Sequence, residues 1–182
     1  CEDLGVAIMF HVGGARSAMH PGWANNGGNL ASFYRLASLS RRLIPQLALG
    51  AMIFGGVLER YPNLAIIVSE LGIDWLPDFL AFIDAEADNE HMRMLNFAPY
   101  SLPLKPSDYM KRQVRVSVVH QQDTLRPTIE RVPEGIIVFS SDFPHVEGHQ
   151  EAHTIYAKQM EGLSTSAKEA FFGRSAAELL KI

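Results

Sequence analysis

Residues 64–70 read Leu-Ala-Ile-Ile-Val-Ser-Glu, a short apolar run that ends in two polar residues. Similar runs occupy residues 6–11, Val-Ala-Ile-Met-Phe-His, and residues 136–142, Ile-Ile-Val-Phe-Ser-Ser-Asp. Apolar runs of this length that are rich in β-branched residues and do not alternate with polar ones are typical of strands buried on both faces of a parallel sheet. The sequence therefore predicts three buried parallel strands, each followed by polar residues at its carboxyl end.

A fourth strand is predicted over residues 114–119, where Val-Arg-Val-Ser-Val-Val alternates more than the other runs do. Helical patterns separate the strands. They cover residues 30–60 with a break at Pro45, 75–94, 124–132, 151–161 and 166–180, whereas residues 99–106 are predicted to form a loop. Strands that alternate with helices build either an open doubly wound sheet or a (β/α)8 barrel. No Gly-x-Gly-x-x-Gly fingerprint follows a predicted strand, which weakens the case for a nucleotide-binding sheet.

The composition describes an ordinary globular chain of 182 residues that is 47% hydrophobic. Its 16 Lys and Arg against 20 Asp and Glu give a formal charge of −4, which argues against nucleic acid or an anionic membrane as the main partner. The single cysteine, Cys1, is typical of a reducing compartment. The longest apolar stretch, residues 43–58, is interrupted by Pro and Gly, and no signal peptide is visible. We expect one cytoplasmic domain over residues 1–182.

Three residues with metal-binding side chains stand at or just beyond the carboxyl ends of predicted strands. They are His11, Glu70 and Asp142. In a parallel barrel these ends open onto one face, where catalytic groups collect, and imidazole nitrogens and carboxylate oxygens bind Zn²⁺ or Mn²⁺. Each residue alone has an ordinary explanation, because a histidine can simply end a strand and an aspartate before Phe-Pro often forms a turn. The three together favour a metal site.

Several segments resemble the amidohydrolase-2 branch of the amidohydrolase superfamily, the aminocarboxymuconate-semialdehyde decarboxylase-like metal-dependent hydrolases. They are His-Val-Gly-Gly at 11–14, Gly-Val-Leu-Glu-Arg-Tyr-Pro-Asn-Leu at 56–64, Ser-Glu-Leu-Gly-Ile-Asp-Trp-Leu-Pro at 69–77 and Ser-Ser-Asp-Phe-Pro-His-Val-Glu-Gly at 140–148. The closing helix predicted over residues 173–180 resembles that of the family as well. The resemblance implies an α/β TIM barrel, the (β/α)8 fold, of which this chain covers roughly strands 5–8 and the C-terminal helices.

The resemblance also implies roles for the three strand-end residues. His11 would be a metal ligand at the end of the fifth strand, and Asp142 at the end of the eighth would be a ligand, the proton acceptor for a metal-bound water, or both. Many members carry a histidine where this sequence has Glu70. An ionised carboxylate donates no hydrogen bond, so the catalytic role of Glu70 stays open between metal ligand, general base and orienting group.

The family's first strand carries a His-x-His or Glu-x-His pair that completes the metal shell, and these 182 residues contain no such pair. The chain also opens without Met, at Cys1, and Gly5 has the character of a helix cap. We therefore expect a longer parent protein in which a preceding half supplies the missing ligands. The alternative is a non-catalytic half-barrel that serves as a binding or assembly module, or an inactive fragment.

Three further residues are candidates for substrate binding. Arg16 could clamp a substrate carboxylate, Trp75 could form one wall of an aromatic pocket, and His145 could reach the barrel mouth. Their ordinary alternatives are a solvated loop arginine, a residue packed at the start of a helix and an exposed loop histidine. His120 is a weaker candidate because the register of its strand is not fixed.

The resemblance implies a metal-dependent hydrolase or non-oxidative decarboxylase that acts on a small carboxylated substrate, often cyclic or aromatic. The hydrolase would use a metal-activated water against an ester, lactone or amide, and the decarboxylase would hold the substrate on the metal while CO₂ leaves. Zinc is the first expectation for the divalent metal and manganese the alternative. The expected partners are the small-molecule substrate and, in the full-length protein, a second copy in a homodimer.

Overall fold

The computed structural model describes residues 1–13, 30–95, 99–119, 125–146 and 148–182. Its strands are β1 (Ile8–His11), β2 (Ile66–Ser69), β3 (Val114–Ser117) and β4 (Ile137–Val138). Its α-helices are α1 (Leu30–Phe54), α2 (Val57–Arg60), α3 (Leu76–Ala87), α4 (Glu90–Met94), α5 (Pro106–Gln113), α6 (Leu125–Ile129), α7 (Ala152–Gln159), α8 (Thr165–Glu169) and α9 (Ser175–Leu180). A 3₁₀ turn, Glu2–Leu4, precedes β1, and a kinked helical turn, Ala170–Arg174, joins α8 to α9.

The four strands form one parallel sheet in the order β1-β2-β3-β4. This confirms the predicted α/β fold with a parallel sheet. Consecutive strands lie side by side, as in a barrel, whereas a doubly wound sheet reverses its strand order at a switch point. Because crossovers between parallel strands are right-handed, a sheet wound in one direction places its helices on one face. The opposite face is open at β1 and partly covered at β3, where Arg115 donates to the carbonyl of Ser175 in α9.

The strand register separates these two faces. Phe10, Val68, Val116 and Ile137 are paired across the sheet and belong to the hydrophobic core, so they lie on the helix face. Residues one position away point to the opposite side. At β1 this opposite side is open, since Met9 is 56% exposed. We call it the inner face, and it carries Met9, His11, Ile67, Ser69, Arg115, Ser117 and Val138.

The predicted helix break at Pro45 is wrong. Helix α1 continues through this buried proline, and the chain breaks instead at Gly55 and Gly56. Gly56 has a φ of +69°, which favours glycine, and a Cβ on Gly55 would lie 2.6 Å from the backbone oxygen of Ala51. The helix therefore ends where two glycines permit a turn that other residues resist.

Two other helices also differ from the sequence prediction. The pattern over residues 75–94 divides into α3 and α4, which are separated by Asp88 and Asn89. Helix α5 was not predicted, because its first residue is Pro106 and the preceding segment is rich in proline. Proline is well tolerated in the first turn of a helix, where its missing N–H has no partner to lose. No helix within the described ranges has the length and apolar character that crossing a membrane requires.

The amino end of β3 is fixed by side chains that bond to backbone carbonyl groups. The amide of Gln113 donates to the oxygens of Tyr61 at 2.7 Å and Leu64 at 3.1 Å, which ties α5 to the turn before β2. The guanidinium of Arg115, buried on the inner face, donates to three carbonyl oxygens, one of them that of Ser175 at 3.0 Å. These bonds attach the C-terminal helix α9 to the sheet.

Candidate metal and catalytic site

His11 ends β1, and both of its ring nitrogens have close partners. Nδ1 lies 2.6 Å from the backbone oxygen of Val12, and Nε2 lies 2.9 Å from Oε1 of Glu70. If Nδ1–H donates to the carbonyl of Val12, an unprotonated Nε2 would direct its lone pair at the carboxylate of Glu70. Two acceptors would then face each other. With a proton on Nε2 as well, the imidazole would carry a positive charge and donate to Glu70. A metal cation is the other charge that a nitrogen and a carboxylate oxygen would share at such a place.

The surroundings of His11 raise its pKa above the ordinary value. The largest cause is the hydrogen bond to the carbonyl of Val12, which partial burial of the ring opposes. The carboxylate of Glu70 raises the pKa further, through its hydrogen bond and its charge, and the charge of Asp142 adds to this. The charges that raise this pKa thus come from Glu70 at the end of β2 and from Asp142 beyond β4.

Glu70 and Asp142 share an unusual backbone conformation. Their φ angles are +59° and +50°, in the left-handed region that residues with a side chain rarely adopt. Glu70 follows β2 directly, and Asp142 lies four residues after the end of β4. Such conformations cost on the order of 1–3 kcal/mol and gather at functional sites, where the surrounding structure enforces them. Both carboxylates are thus presented from strained positions at the carboxyl ends of strands.

The carboxylate of Asp142 is largely buried, with 11% of its side chain exposed. Its Oδ2 atom is buried and has no hydrogen-bond partner among the described residues. Nδ1 of His145 lies 3.4 Å from this oxygen but outside hydrogen-bond geometry. Burying an unsatisfied carboxylate oxygen is costly, and buried polar groups normally have a partner. The atom is therefore suited to accept a ligand.

A tight turn fixes the position of Asp142. The N–H of His145 donates to the carbonyl of Asp142 at 2.8 Å, and the N–H of Gly148 donates to that of His145 at 3.0 Å. The backbone of Gly148 lies directly against that of Asp142, and a Cβ at position 148 would overlap the carbonyl carbon and oxygen of Asp142. The site therefore requires glycine at position 148.

His11 and Asp142 fit part of a metal shell. They offer one imidazole nitrogen and one carboxylate oxygen, and a bond from Nδ1–H to a carbonyl is the arrangement that orients a ligating Nε2. Within the described ranges, however, no group of three or more His, Cys, Asp and Glu side chains is placed to hold a metal ion. Catalytic zinc sites use three protein ligands. Further donors are therefore needed from outside the described residues.

The family model of the amidohydrolases, in the amidohydrolase-2 branch, matches residues 1–182. The chain belongs to this amidohydrolase family. Family membership confirms the resemblance carried by the segments around His11, Glu70 and Asp142. It also agrees with the parallel α/β sheet and with the placement of polar residues at the carboxyl ends of its strands.

Known proteins similar to this chain include decarboxylases. A 2-amino-3-carboxymuconate-6-semialdehyde decarboxylase from Dictyostelium discoideum is 24% identical over 194 residues, which cover 99% of this chain and 46% of the relative. A solved amidohydrolase from Mycobacterium avium subsp. paratuberculosis K-10 superposes with a TM-score of 0.70 at 20% identity. The match covers 98% of this chain and 43% of the solved protein. A 5-carboxyvanillate decarboxylase from Novosphingobium aromaticivorans was solved with manganese and 4-hydroxy-3-methoxy-5-nitrobenzoic acid. It superposes with a TM-score of 0.68 at 19% identity, and the match covers 100% of this chain and 49% of the decarboxylase. The chain spans about half the length of these proteins.

The other predicted site residues lie in different surroundings. Trp75 is 7% exposed, and its indole N–H donates to the carbonyls of Gly72 and Leu71 at 2.8 and 3.2 Å. These contacts favour the packing alternative over a pocket wall. His145 is exposed beside Asp142, which is compatible with both of its alternatives. Arg16 lies outside the described residues.

Ser117 is a site candidate that sequence reasoning missed. It ends β3 on the inner face, and its buried Oγ has no hydrogen-bond partner among the described residues. The one sequence signal was the alternation of β3, which places Arg115 and Ser117 on the same side of the strand. An alternating pattern shows which residues share a face but not whether a hydroxyl finds a partner there.

Proposed function

We propose that the site at the carboxyl ends of β1, β2 and β4 belongs to a metal-dependent decarboxylase that removes CO₂ from a cyclic or aromatic carboxylic acid. One observation carries the proposal. The buried Oδ2 of Asp142 lacks a hydrogen-bond partner among the described residues, and Nε2 of His11 lies 2.9 Å from the carboxylate of Glu70. The decarboxylases among the similar proteins, one of them solved with manganese, support this choice over hydrolysis.

In this proposal the four strands correspond to strands five to eight of an eight-stranded barrel. Nε2 of His11 and Oδ2 of Asp142 would hold Mn²⁺ or Zn²⁺, and the remaining donors would come from the other strands of that barrel. A bound divalent cation supplies positive charge that holds the substrate's oxygens and stabilises the negative charge that develops as CO₂ leaves. The strained backbone of Asp142 keeps its carboxylate in place for this task.

Glu70 is the proposed proton carrier. Once Nε2 of His11 is engaged as a ligand, the proton that holds the His11–Glu70 pair together must leave that nitrogen. Oε1 of Glu70, which lies 2.9 Å from Nε2, is placed to take this proton. In decarboxylation the bond between the ring carbon and the carboxylate breaks, its electron pair stays on the carbon, and that carbon takes a proton from a general acid. Protonated Glu70 would supply it.

Metal content tests the proposal first. The full-length protein is loaded with Mn²⁺ or Zn²⁺, desalted and analysed for bound metal, together with its His11→Ala, Asp142→Asn and Asp78→Asn variants. We expect about one ion per chain in the wild-type protein and in Asp78→Asn, whose exposed carboxylate pairs with Arg131 away from the site. His11→Ala and Asp142→Asn should lose most of the metal and remain folded.

Activity gives the second readout. Release of CO₂ from hydroxylated benzoic acids is measured for the same proteins and for Glu70→Gln, which should keep its metal and lose most of the activity. Ester or lactone cleavage without CO₂ release would show that the site is hydrolytic instead. Absence of bound metal from the wild-type protein would refute the enzymatic proposal, and the chain would then be better explained as a binding or assembly module.

A further inference from the structure

The hydroxyl of Ser117 is buried without a partner on the same face of the sheet as the proposed site. Ser117 is 5% exposed, and its Oγ makes no hydrogen bond with any described residue. Buried Tyr109 shows the ordinary behaviour, because its hydroxyl donates to Oε2 of Glu59 at 2.7 Å. A buried hydroxyl without a partner loses its bonds to water and gains none in return. Ser117 therefore weakens the fold unless something else bonds to it.

The strand register places Ser117 between the residues of the site. The pair Val68–Val116 is followed by Ser69 and Ser117, so Ser117 lies beside Ser69 in the row that begins with His11. Strand β3 lies between β2, which leads to Glu70, and β4, which leads to Asp142. The hydroxyl thus lies on the strand between the two carboxylates. Its row is exposed at β1 and buried at β3. Arg115, two residues earlier on the same face, bonds to the carbonyl of Ser175, so α9 lies close to this part of the inner face.

The chemistry of this position favours an oxygen-bearing ligand. Carboxylates accept hydrogen bonds, whereas a serine hydroxyl also donates one. If the substrate carboxylate is held near His11 and Asp142, Ser117 on another strand can form a hydrogen bond with a second substrate oxygen. Aromatic acids with a ring hydroxyl beside the carboxylate present such an oxygen. Resting on the function proposed above, we propose that Ser117 is a specificity-determining residue, which donates a hydrogen bond to this ring oxygen and selects hydroxylated acids over unsubstituted ones.

Two serine-to-alanine variants test this inference. Ser117→Ala removes an unpartnered hydroxyl, whereas Ser164→Ala removes one that accepts the N–H of Ala167 at 3.1 Å and caps α8. Binding of salicylate and of benzoate to the metal-loaded full-length protein is measured by calorimetry, and melting temperatures are measured without ligand. Both substitutions are chemically identical, so any difference between them reports the surroundings of the hydroxyl.

The two variants should show opposite patterns. Ser117→Ala should melt at or above the wild-type temperature. Its ratio of salicylate affinity to benzoate affinity should be about tenfold lower than that of the wild-type protein. Ser164→Ala should melt about 1–2 °C lower and keep the wild-type preference. An unchanged preference in Ser117→Ala, or a melting temperature as low as that of Ser164→Ala, would overturn the role of Ser117 alone. A wild-type protein that binds metal but neither acid would overturn this inference alone, whereas one that binds no metal would overturn the proposed function and this inference with it.

Discussion

Buried polar groups at the two ends of the sheet differ in whether they have hydrogen-bond partners. At the amino end of β3, Gln113 and Arg115 bond to carbonyl groups from distant parts of the chain. At the carboxyl ends, Asp142 and Ser117 each bury an oxygen without a partner among the described residues. Glu70, at the same carboxyl ends, has a strained backbone, as Asp142 does. The same strands thus carry satisfied polar groups at one end and unsatisfied ones at the other.

This difference indicates that one end of the sheet stabilises the fold and the other carries the candidate site. Bonds at the amino end join helices to the sheet and stabilise it, as expected of the end of a barrel that does not carry the site. Unsatisfied and strained groups at the carboxyl end lower stability, and a fold tolerates them where a ligand or a reaction uses them. Substitutions should therefore have opposite consequences at the two ends. Removing a group should cost stability at the amino end and binding at the carboxyl end.

The largest effect is expected from Gly148→Ala. A Cβ there would overlap the carbonyl group of Asp142 and lie 2.7 Å from the backbone nitrogen of Phe143, so the backbone has to move. Displacing Asp142 should weaken metal binding by about 10–100-fold, the usual cost of losing support for a metal ligand. Unfolding free energy should fall by about 2–4 kcal/mol because the clash involves backbone atoms. Metal titration and denaturant unfolding measure the two effects.

Gly50→Ala is the matched control. Gly50 lies in helix α1, and nothing lies within 4 Å of a Cβ built on it. The substitution should raise the unfolding free energy by about 0.5–1 kcal/mol through helix propensity and leave metal binding unchanged. If Gly148→Ala behaved like Gly50→Ala, the turn would not fix Asp142, and the carboxyl end would be less constrained than its geometry indicates.

Local patterns in the sequence were sufficient to predict the strands. Continuous apolar runs are typical of strands in a parallel sheet, so the runs around residues 64–70 and 136–142 could be identified without any long-range information. The predicted burial on both faces is wrong for β1, where Met9 is 56% exposed. The strand ends then gave His11, Glu70 and Asp142. Pro45 misled the helix prediction because a proline does not always end a helix, and the glycines that follow α1 have the stronger effect.

Partnerships between distant residues were beyond sequence reasoning. The sequence left Trp75 open between packing and substrate contact, and only the positions of the Leu71 and Gly72 carbonyls favour packing. Ser117 was missed for the same reason, because a hydroxyl lacks a partner only in relation to neighbours brought close by folding. Nor does any pattern of residue types report that Glu70 adopts a positive φ.

Arg115→Met should produce the next largest effect, at the amino end. Methionine keeps much of the apolar stem but leaves three carbonyl oxygens without the guanidinium that bonds to them. We expect the unfolding free energy to fall by about 2 kcal/mol. Arg131→Met, at an exposed arginine paired with the exposed carboxylate of Asp78, should change it by less than about 0.5 kcal/mol. Equal effects in the two variants, measured by urea unfolding, would remove the contrast between the ends.

The smallest effect separates backbone strain from charge at Glu70. Asparagine tolerates a left-handed conformation better than glutamine does, and both remove the carboxylate. Glu70→Asn should therefore be more stable than Glu70→Gln by about 0.5–1 kcal/mol, which denaturant unfolding of the metal-free proteins can resolve. Equal stabilities would show that the positive φ at position 70 costs little.

The same pair of variants tests the charge on His11 by NMR titration. In the metal-free wild-type protein the pKa of His11 is raised first by the carbonyl of Val12 and then by Glu70, so both variants should lower it towards its ordinary value without removing the contribution of Val12. A histidine whose pKa is raised on folding stabilises the fold below its unfolded pKa, and this contribution is lost as pH rises through the folded pKa. The wild-type protein should therefore lose more stability over that pH range than either variant. A pKa that stayed unchanged in both would mean that the carboxylate of Glu70 does not hold the proton on Nε2, and its proposed part in proton transfer would lose its basis.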